Sequence, residues 1–331
     1  MYYCIRYLPW IAFALIAIWT LYALSHGKRN AQGVFLLLDH DHVSDESTSH
    51  NLSPHPRRAR VNFPLSVTSR NLASKITSTM ELPLVAYALT SIIETIEPDV
   101  FDYGIYVGAD QGDIWFDNKN KTDMIHEWWV NAFQKQWPSH PIPELRFFVY
   151  PNTASRNVWA VNYVTQVAFE NGYDYLYRIN DDTVLQTRNW TSIFVNELAQ
   201  FKPLPNVGVT GPWDDFQEGT LLTHSFVHRQ HLHVFGVHFN FLYGNWFSDN
   251  WIQFVYTGPY PPSFGHDARM VSIRRDVKVY HLVLPSRYEV KGNSDLHERQ
   301  LAIDKENLRQ FIEKRLTPTW RFTNLKNRPG F

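Results

Sequence analysis

Apolar positions between residues 80 and 215 switch repeatedly between two periods. Leu84, Val85, Ala88, Leu89, Ile92, Ile93 and Ile96 recur at the 3.6-residue spacing of a helix, with Pro83 in its first turn. Residues 103–107 form a short β-rich run, residues 122–137 return to a helical pattern, and residues 145–150 are a continuous apolar run of strand length. Ser155 then caps a helix carrying Val158, Trp159, Val161, Val164 and Val167, with Gly172 just past its end. Residues 173–179 read as a strand, 190–201 as a helix and 207–210 as a strand. This alternation predicts an α/β fold: a mostly parallel sheet with helices on both faces. Beyond residue 220 the pattern loosens into a stretch dense in His, Trp, Gly and Pro. It closes with a strand over 277–284 and a long polar helix over about 296–316.

The ends differ from this body. Residues 7–24 are an apolar run without acid or base, bounded by Arg6 and by His26, Lys28 and Arg29. Eighteen helical residues rise roughly 27 Å, close to one hydrocarbon core, and Trp10 and Trp19 suit its two interfaces. A single-pass anchor over residues 1–30 is expected. A cleaved signal peptide is the alternative, because Ala23-Leu24-Ser25 resembles a small-x-small cleavage site. Residues 39–64 are polar, rich in Ser, His, Asp and Pro, with basic Arg57, Arg58 and Arg60, and read as a stem. The expected organisation is therefore anchor 1–30, stem 31–65 and folded body 66–331. Asn51, Asn120 and Asn189 each begin a glycosylation sequon, which matters if the body faces a secretory lumen.

Composition narrows the chemistry. With 31 basic against 32 acidic residues there is no excess of Lys and Arg for a phosphate backbone, so no nucleic-acid partner is expected. The one cysteine, Cys4, precedes the apolar run, which excludes disulfides, cysteine zinc sites and a cysteine nucleophile from the body. Any metal must be held by His and carboxylates.

The sharpest chemical feature is Tyr175-Leu-Tyr-Arg-Ile-Asn-Asp-Asp-Thr183, an apolar strand running directly into two carboxylates. Strand ends are where ligands bind in open α/β sheets, and paired carboxylates suit a hard divalent cation such as Mg²⁺ or Mn²⁺. The alternative is an Asx-turn that caps the next segment.

A strand ending in Asn180-Asp181-Asp182 resembles the D-x-D motif of GT-A fold (Rossmann-like) glycosyltransferases, which use nucleotide-sugar donors. Tyr103-Gly-Ile-Tyr-Val-Gly-Ala-Asp110-Gln-Gly-Asp113 resembles that family's first strand and base-binding acidic loop, and Ser155-Arg156-Asn157 its R-N pair near the donor. Gly244-Asn-Trp-Phe-Ser-Asp249-Asn250-Trp251 is similar to the W-x-x-(D/E)-D segment that supplies the base in inverting members. Val279-Tyr-His281 is similar to the late histidine of the metal shell. These segments cover about residues 80–290.

The resemblance implies Asp182, Asp181 and His281 as ligands of Mn²⁺ or Mg²⁺. It implies Asp110, Asp113, Arg156, Asn180 and Asp181 around the donor, and Asp249 as the general base. The expected partners are a nucleotide-sugar, with a UDP-sugar first, and a glycan, glycoprotein or glycolipid acceptor. The layout of anchor, stem and body looks like Golgi type II members, with the body lumenal. Two residues depart from the pattern: Asn180 stands where many relatives carry Asp, and Asn250 leaves Asp249 alone.

Other features stay open at this level. His224, His228 and His231 would share one helical face at i, i+4 and i+7, as in a zinc site, yet the interleaved Phe226, Leu232, Val234 and Phe235 favour packing. Trp246 and Trp251 flank Asp249 and are candidates to stack on a sugar. Asp214 and Asp215, after the strand at 207–210, are the next carboxylates that the strand-end rule brings to the crevice. Two other functions use similar residues: a metal-dependent phosphoester hydrolase, and a sugar-binding protein without turnover.

Overall fold

The computed structural model describes residues 57–151, 156–284, 287 and 294–317. The apolar run at 7–24, Asn51 and Ser155 lie outside them. No helix of the described residues is long and apolar enough to cross a membrane.

Eight strands form one sheet: β1 (Arg60–Val67), β2 (Asp102–Asp110), β3 (Glu144–Tyr150), β4 (Tyr175–Arg178), β5 (Thr183–Leu185), β6 (Val209–Asp214), β7 (Ser225–His228) and β8 (Val271–His281). Their spatial order is β3-β2-β1-β4-β7-β6-β8-β5. Strands β3, β2, β1 and β4 are mutually parallel, as the alternating pattern predicts. Beyond β4 the sheet is mixed, with β7 antiparallel to both neighbours, β8 parallel to β6, and β5 antiparallel to β8.

The helices are α1 (residues 84–95, a wide π-type stretch over Leu84–Leu89 leading into Thr90–Thr95), α2 (Lys119–Gln136), α3 (Asn157–Glu170), α4 (Trp190–Ala199), α5 (Gln230–Phe235), α6 (Ser248–Phe254) and α7 (Ser294–Leu316). They bury two apolar layers, one on each sheet face. Val61, Phe63, Tyr175 and Tyr177 pack with α1, α2 and α4, and their neighbour Leu176 packs with α3, α6 and α7. The period-2 alternation of a strand makes that division. Trp190 is wholly buried among Phe63, Tyr177, Phe194 and Phe226, with ring centroids 4.8–6.2 Å apart.

Two expectations change. Residues 60–65, placed by their polarity and Pro64 in the stem, are most of β1, a strand in the middle of the sheet. The Arg60 N–H donates to the Asp174 carboxylate and the Arg60 carbonyl accepts from the Asp174 N–H, both on the β4 side, and by period 2 Pro64 faces the same side. Pairing to β4 covers only Val61 and Asn62, so the missing proline N–H falls where no ladder bond is made. Arg57 is likewise held, 2.7 Å from Asp174. The supposed helix through His224, His228 and His231 is instead strand β7 followed by the short α5. His228 packs its ring edgewise on Tyr175, and His231 bonds the Tyr256 hydroxyl at 2.9 Å and the His238 carbonyl at 2.8 Å. The His231 ring is core, and the His228 ring is half-buried against Tyr175.

Candidate active site

Four chain segments meet at the carboxyl ends of β4, β6 and β8 and the start of β7. The turn Asn180-Asp181-Asp182 leaves β4 and enters β5, whose antiparallel register sets Thr183 opposite His281 at the end of β8. Strand β6 runs parallel to β8, with Asp214 opposite Val279, one side-chain repeat from His281. Strand β7 pairs with β6 through Phe226 and Thr210, which brings His224 alongside. Gly211 makes that approach feasible: a Cβ there would stand 2.3 Å from the His224 carbonyl oxygen.

The result is a buried group of acids and imidazoles. His281 Nε2 lies 3.3 Å from Asp182 Oδ1 and 3.0 Å from the Asn180 amide nitrogen, while His281 Nδ1 lies 3.6 Å from Asp214 Oδ2. His224 Nδ1 is also 3.6 Å from Asp214 Oδ2, and its Nε2 bonds the Thr183 hydroxyl at 2.7 Å. Asp214, His224 and His281 can each turn a ligand atom to within 4.8 Å of the others, a set able to hold a metal ion. Burial opposes a proton on His281, but the carboxylates of Asp182 and Asp214 together outweigh it and lift its pKa to about 9. Burial also opposes ionisation of those two acids, but His281, together with the Leu284 N–H on Asp182 and the Phe216 N–H on Asp214, more than compensates, so both stay below the usual carboxylate range. His224, wholly buried beside His281, is pushed down to about 3 and is neutral.

Asp249 sits in the first turn of α6, with its side chain about a quarter exposed. Its Oδ1 makes no hydrogen bond to a described residue. Burial raises its pKa, and Arg178 Nη1 at 4.0 Å opposes that rise, with His281 a further partner. Arg178 is itself buried at the end of β4, where it donates to the Thr223 carbonyl at 2.8 Å.

The remaining sequence candidates divide. Asp181 does not face the cluster: both its oxygens accept 2.6 Å bonds from Arg287, which also donates to the Thr68 carbonyl. Successive side chains on an extended backbone diverge, so Asp181, expected as a ligand, is engaged by Arg287, which links the chain after β4 to the end of β1. Asp113 is also occupied, accepting from Thr68, Ser69, Trp115 and Phe116. It shapes the loop that the sequence assigns to base contact. Asp110 accepts from the Tyr150 hydroxyl and lies 3.5 Å from Arg70. With Thr68, Ser69, Arg70 and residues 111–114 it lines a recess of about 170 Å³. Arg156 is exposed and lies over the Trp159 ring at 4.5 Å, where α3 meets the loop through Gly244. Of the two tryptophans beside Asp249, Trp251 is fully buried, with its indole N–H on Asp304 at 2.8 Å. Only Trp246, 53% exposed, has a face free to stack.

Sequence reasoning gave His224 to a helix, and it had no role for Arg178 or Arg287. A charge inside the apolar run Tyr175-Leu-Tyr-Arg-Ile was a signal for Arg178. Nothing in the sequence marks Arg287.

No protein-family model and no curated protein matches the chain. Among solved structures it is similar to a mannosyltransferase from Pyrobaculum calidifontis in complex with GDP-Man and Mn²⁺, with 13% identity, a TM-score of 0.42, and coverage of 81% of this chain and 68% of that one. It is also similar to S. aureus TarS, with 11% identity, a TM-score of 0.43, and coverage of 79% of this chain and 44% of that one. The TarS 1–349 fragment in complex with UDP-GlcNAc gives 10%, 0.43, 75% and 66%. At these identities and TM-scores, function is argued from this chain's own residues.

Proposed function

We propose that the chain is a glycosyltransferase that moves a sugar from a nucleotide-sugar, with a UDP-sugar first, to a hydroxyl of a glycan, glycoprotein or glycolipid, with inversion at the anomeric carbon. The observation that carries this reading is the meeting, at the strand ends, of a carboxylate–imidazole cluster around His281 with a separate part-exposed carboxylate, Asp249. The recess at Thr68, Ser69, Arg70 and Asp110 opens at the same edge of the sheet and is a candidate berth for the nucleoside.

Inverting transfer needs a base for the acceptor hydroxyl and positive charge for the leaving diphosphate. The Asp249 carboxylate, about a quarter exposed, is suited to take the acceptor proton as the acceptor oxygen bonds to the anomeric carbon and the bond to the diphosphate breaks. Arg178 favours the ionised form that this role requires. Trp246 offers an exposed ring beside the acceptor side. A divalent ion beside His281, Mn²⁺ or Mg²⁺ on the sequence reading, would supply Lewis-acid stabilisation of the diphosphate.

The same reading places the body on the lumenal side of a membrane, tethered by residues 7–24. The exposure of Asn120 and Asn189, both sequon asparagines, accords with that. The test is a screen of nucleotide-sugars with and without Mn²⁺, following the thermal midpoint and release of the nucleotide. Expected are a shift of several degrees and slow donor hydrolysis with one sugar nucleotide. Cleavage of simple phosphoesters without any response to sugar nucleotides would replace this reading by a hydrolase.

A further inference from the structure

The two ring nitrogens of His281 face different carboxylates, and the difference has chemical content. On the Nδ1 side, Asp214 Oδ2, His224 Nδ1 and His281 Nδ1 are all buried and make no hydrogen bond to a described residue. Both His–Asp separations there are 3.6 Å, too long for an N–H···O bond of about 2.7–3.2 Å. No direct hydrogen bond therefore joins either imidazole to Asp214. One ligand atom from each of Asp214, His224 and His281 lies within 4.8 Å of the others, close to the spacing of atoms that share one metal ion at bonds of about 2.0–2.2 Å.

Each of the three groups is also held from behind. The Nε2 of His224 is bonded to the Thr183 hydroxyl, which leaves Nδ1 turned inward. Asp214 Oδ1 accepts from the Phe216 N–H at 2.9 Å, leaving Oδ2 for the cluster. His281 Nε2 lies 3.3 Å from Asp182 Oδ1 and 3.0 Å from the Asn180 amide nitrogen, and the other oxygen of Asp182 accepts from the Leu284 N–H at 3.1 Å. Outer-shell partners of this kind set the tautomer and aim of metal-ligating imidazoles.

We propose that the cation of this site is bound by Asp214, His224 and His281, with Asp182 as the outer-shell carboxylate that orients His281, and that the site takes a first-row transition ion in preference to Mg²⁺ or Ca²⁺. Two imidazoles and one carboxylate suit Mn²⁺, Fe²⁺, Co²⁺ or Zn²⁺, whereas Mg²⁺ and Ca²⁺ seek all-oxygen shells. Three protein ligands leave coordination positions open. This deepens the proposed function, and rests on it only for the statement that diphosphate oxygens fill those positions.

The test uses the full chain, stripped of metal, with no donor or acceptor present. Calorimetric titration is expected to show one equivalent of Mn²⁺, Co²⁺ or Zn²⁺ bound, uncompeted by millimolar Mg²⁺. Pulsed EPR of the Mn²⁺-loaded protein should resolve nitrogen couplings from two imidazoles, a measurement that needs no variant. His224→Ala is expected to abolish binding, and Asp182→Asn to weaken it about 10–100-fold at unchanged stoichiometry. Absence of binding to the wild-type chain, one imidazole coupling, or binding that survives His224→Ala but vanishes in Asp182→Asn would each overturn the proposal. Metal binding as expected without response to any sugar nucleotide would leave this site standing and remove the transferase reading.

Discussion

The guanidinium of Arg178 and the carboxylate of Asp249 face each other at 4.0 Å, from the end of β4 and the start of α6. One is committed to a backbone carbonyl and the other has an oxygen without a hydrogen bond. The pair places a fixed positive charge beside the carboxylate proposed as the base.

If Asp249 is the base, Asp249→Asn should lower kcat about 10²–10⁴-fold and leave donor affinity intact. Arg178→Gln removes the charge that opposes the burial-driven rise in the Asp249 pKa. A base works only when ionised, so the acid limb of the kcat profile should move to higher pH in that variant. A pH–rate profile checks this, and an unmoved limb would assign Arg178 to packing alone. Asn250→Asp, which restores a second carboxylate, should be tolerated.

The His281 cluster makes metal-free stability depend on pH in two directions. His281 is raised to about 9 in the fold, so its contribution is full below its unfolded value near 6.5 and is lost as pH rises through about 9. Asp182 and Asp214 are lowered, so theirs is present above an unfolded value near 3.9 and is lost as pH falls. Urea unfolding of stripped protein should show wild type losing up to roughly 3 kcal/mol between pH 6.5 and 9.5. His281→Gln should be nearly flat over that interval.

Gly211→Ala puts a methyl 2.3 Å from the His224 carbonyl oxygen and 2.7 Å from Leu222. Backbone cannot yield as a flexible side chain does. A loss of about 1–3 kcal/mol is expected, together with weaker Co²⁺ binding as His224 is displaced. Melting and a Co²⁺ absorption titration measure the two effects, and unchanged metal affinity would show that the site tolerates the shift.

Asp304 on α7 accepts from the Trp251 indole at 2.8 Å and the Asn240 amide at 2.9 Å, which joins the helix of Asp249 to the loop before it. Asp304→Leu leaves both donors without their acceptor and should cost about 1–3 kcal/mol. If the loop carrying the exposed Trp246 meets the acceptor, as proposed, acceptor KM should rise severalfold while donor KM holds. Equal changes in both would mean a general loosening.

The alternating rhythm of residues 80–215 was legible because helix and strand periods are local properties of side-chain direction. The parallel half of the sheet follows from it. Pro64 hid β1, since its tolerance depends on which neighbour stops pairing, and that is a fact about the sheet. Asp182 and His281 could be singled out as strand-end acid and late-strand histidine. By contrast, Asp181 and Asp182 are adjacent and alike in sequence, and only the fold gives one to Arg287 and the other to His281.

What the sequence determined alone is the order of its helices and strands, the absence of cysteine chemistry in the body, and the presence of acids at strand ends. What only the tertiary structure decided is which of those acids share a site. Asp182, Asp214, His224 and His281 come from four segments spread over a hundred residues. Their meeting depends on the β5–β8 register, the antiparallel entry of β7 and the space left by Gly211. Register and close approach are relations between distant segments, and the local periodicity that reveals a strand does not specify its neighbour.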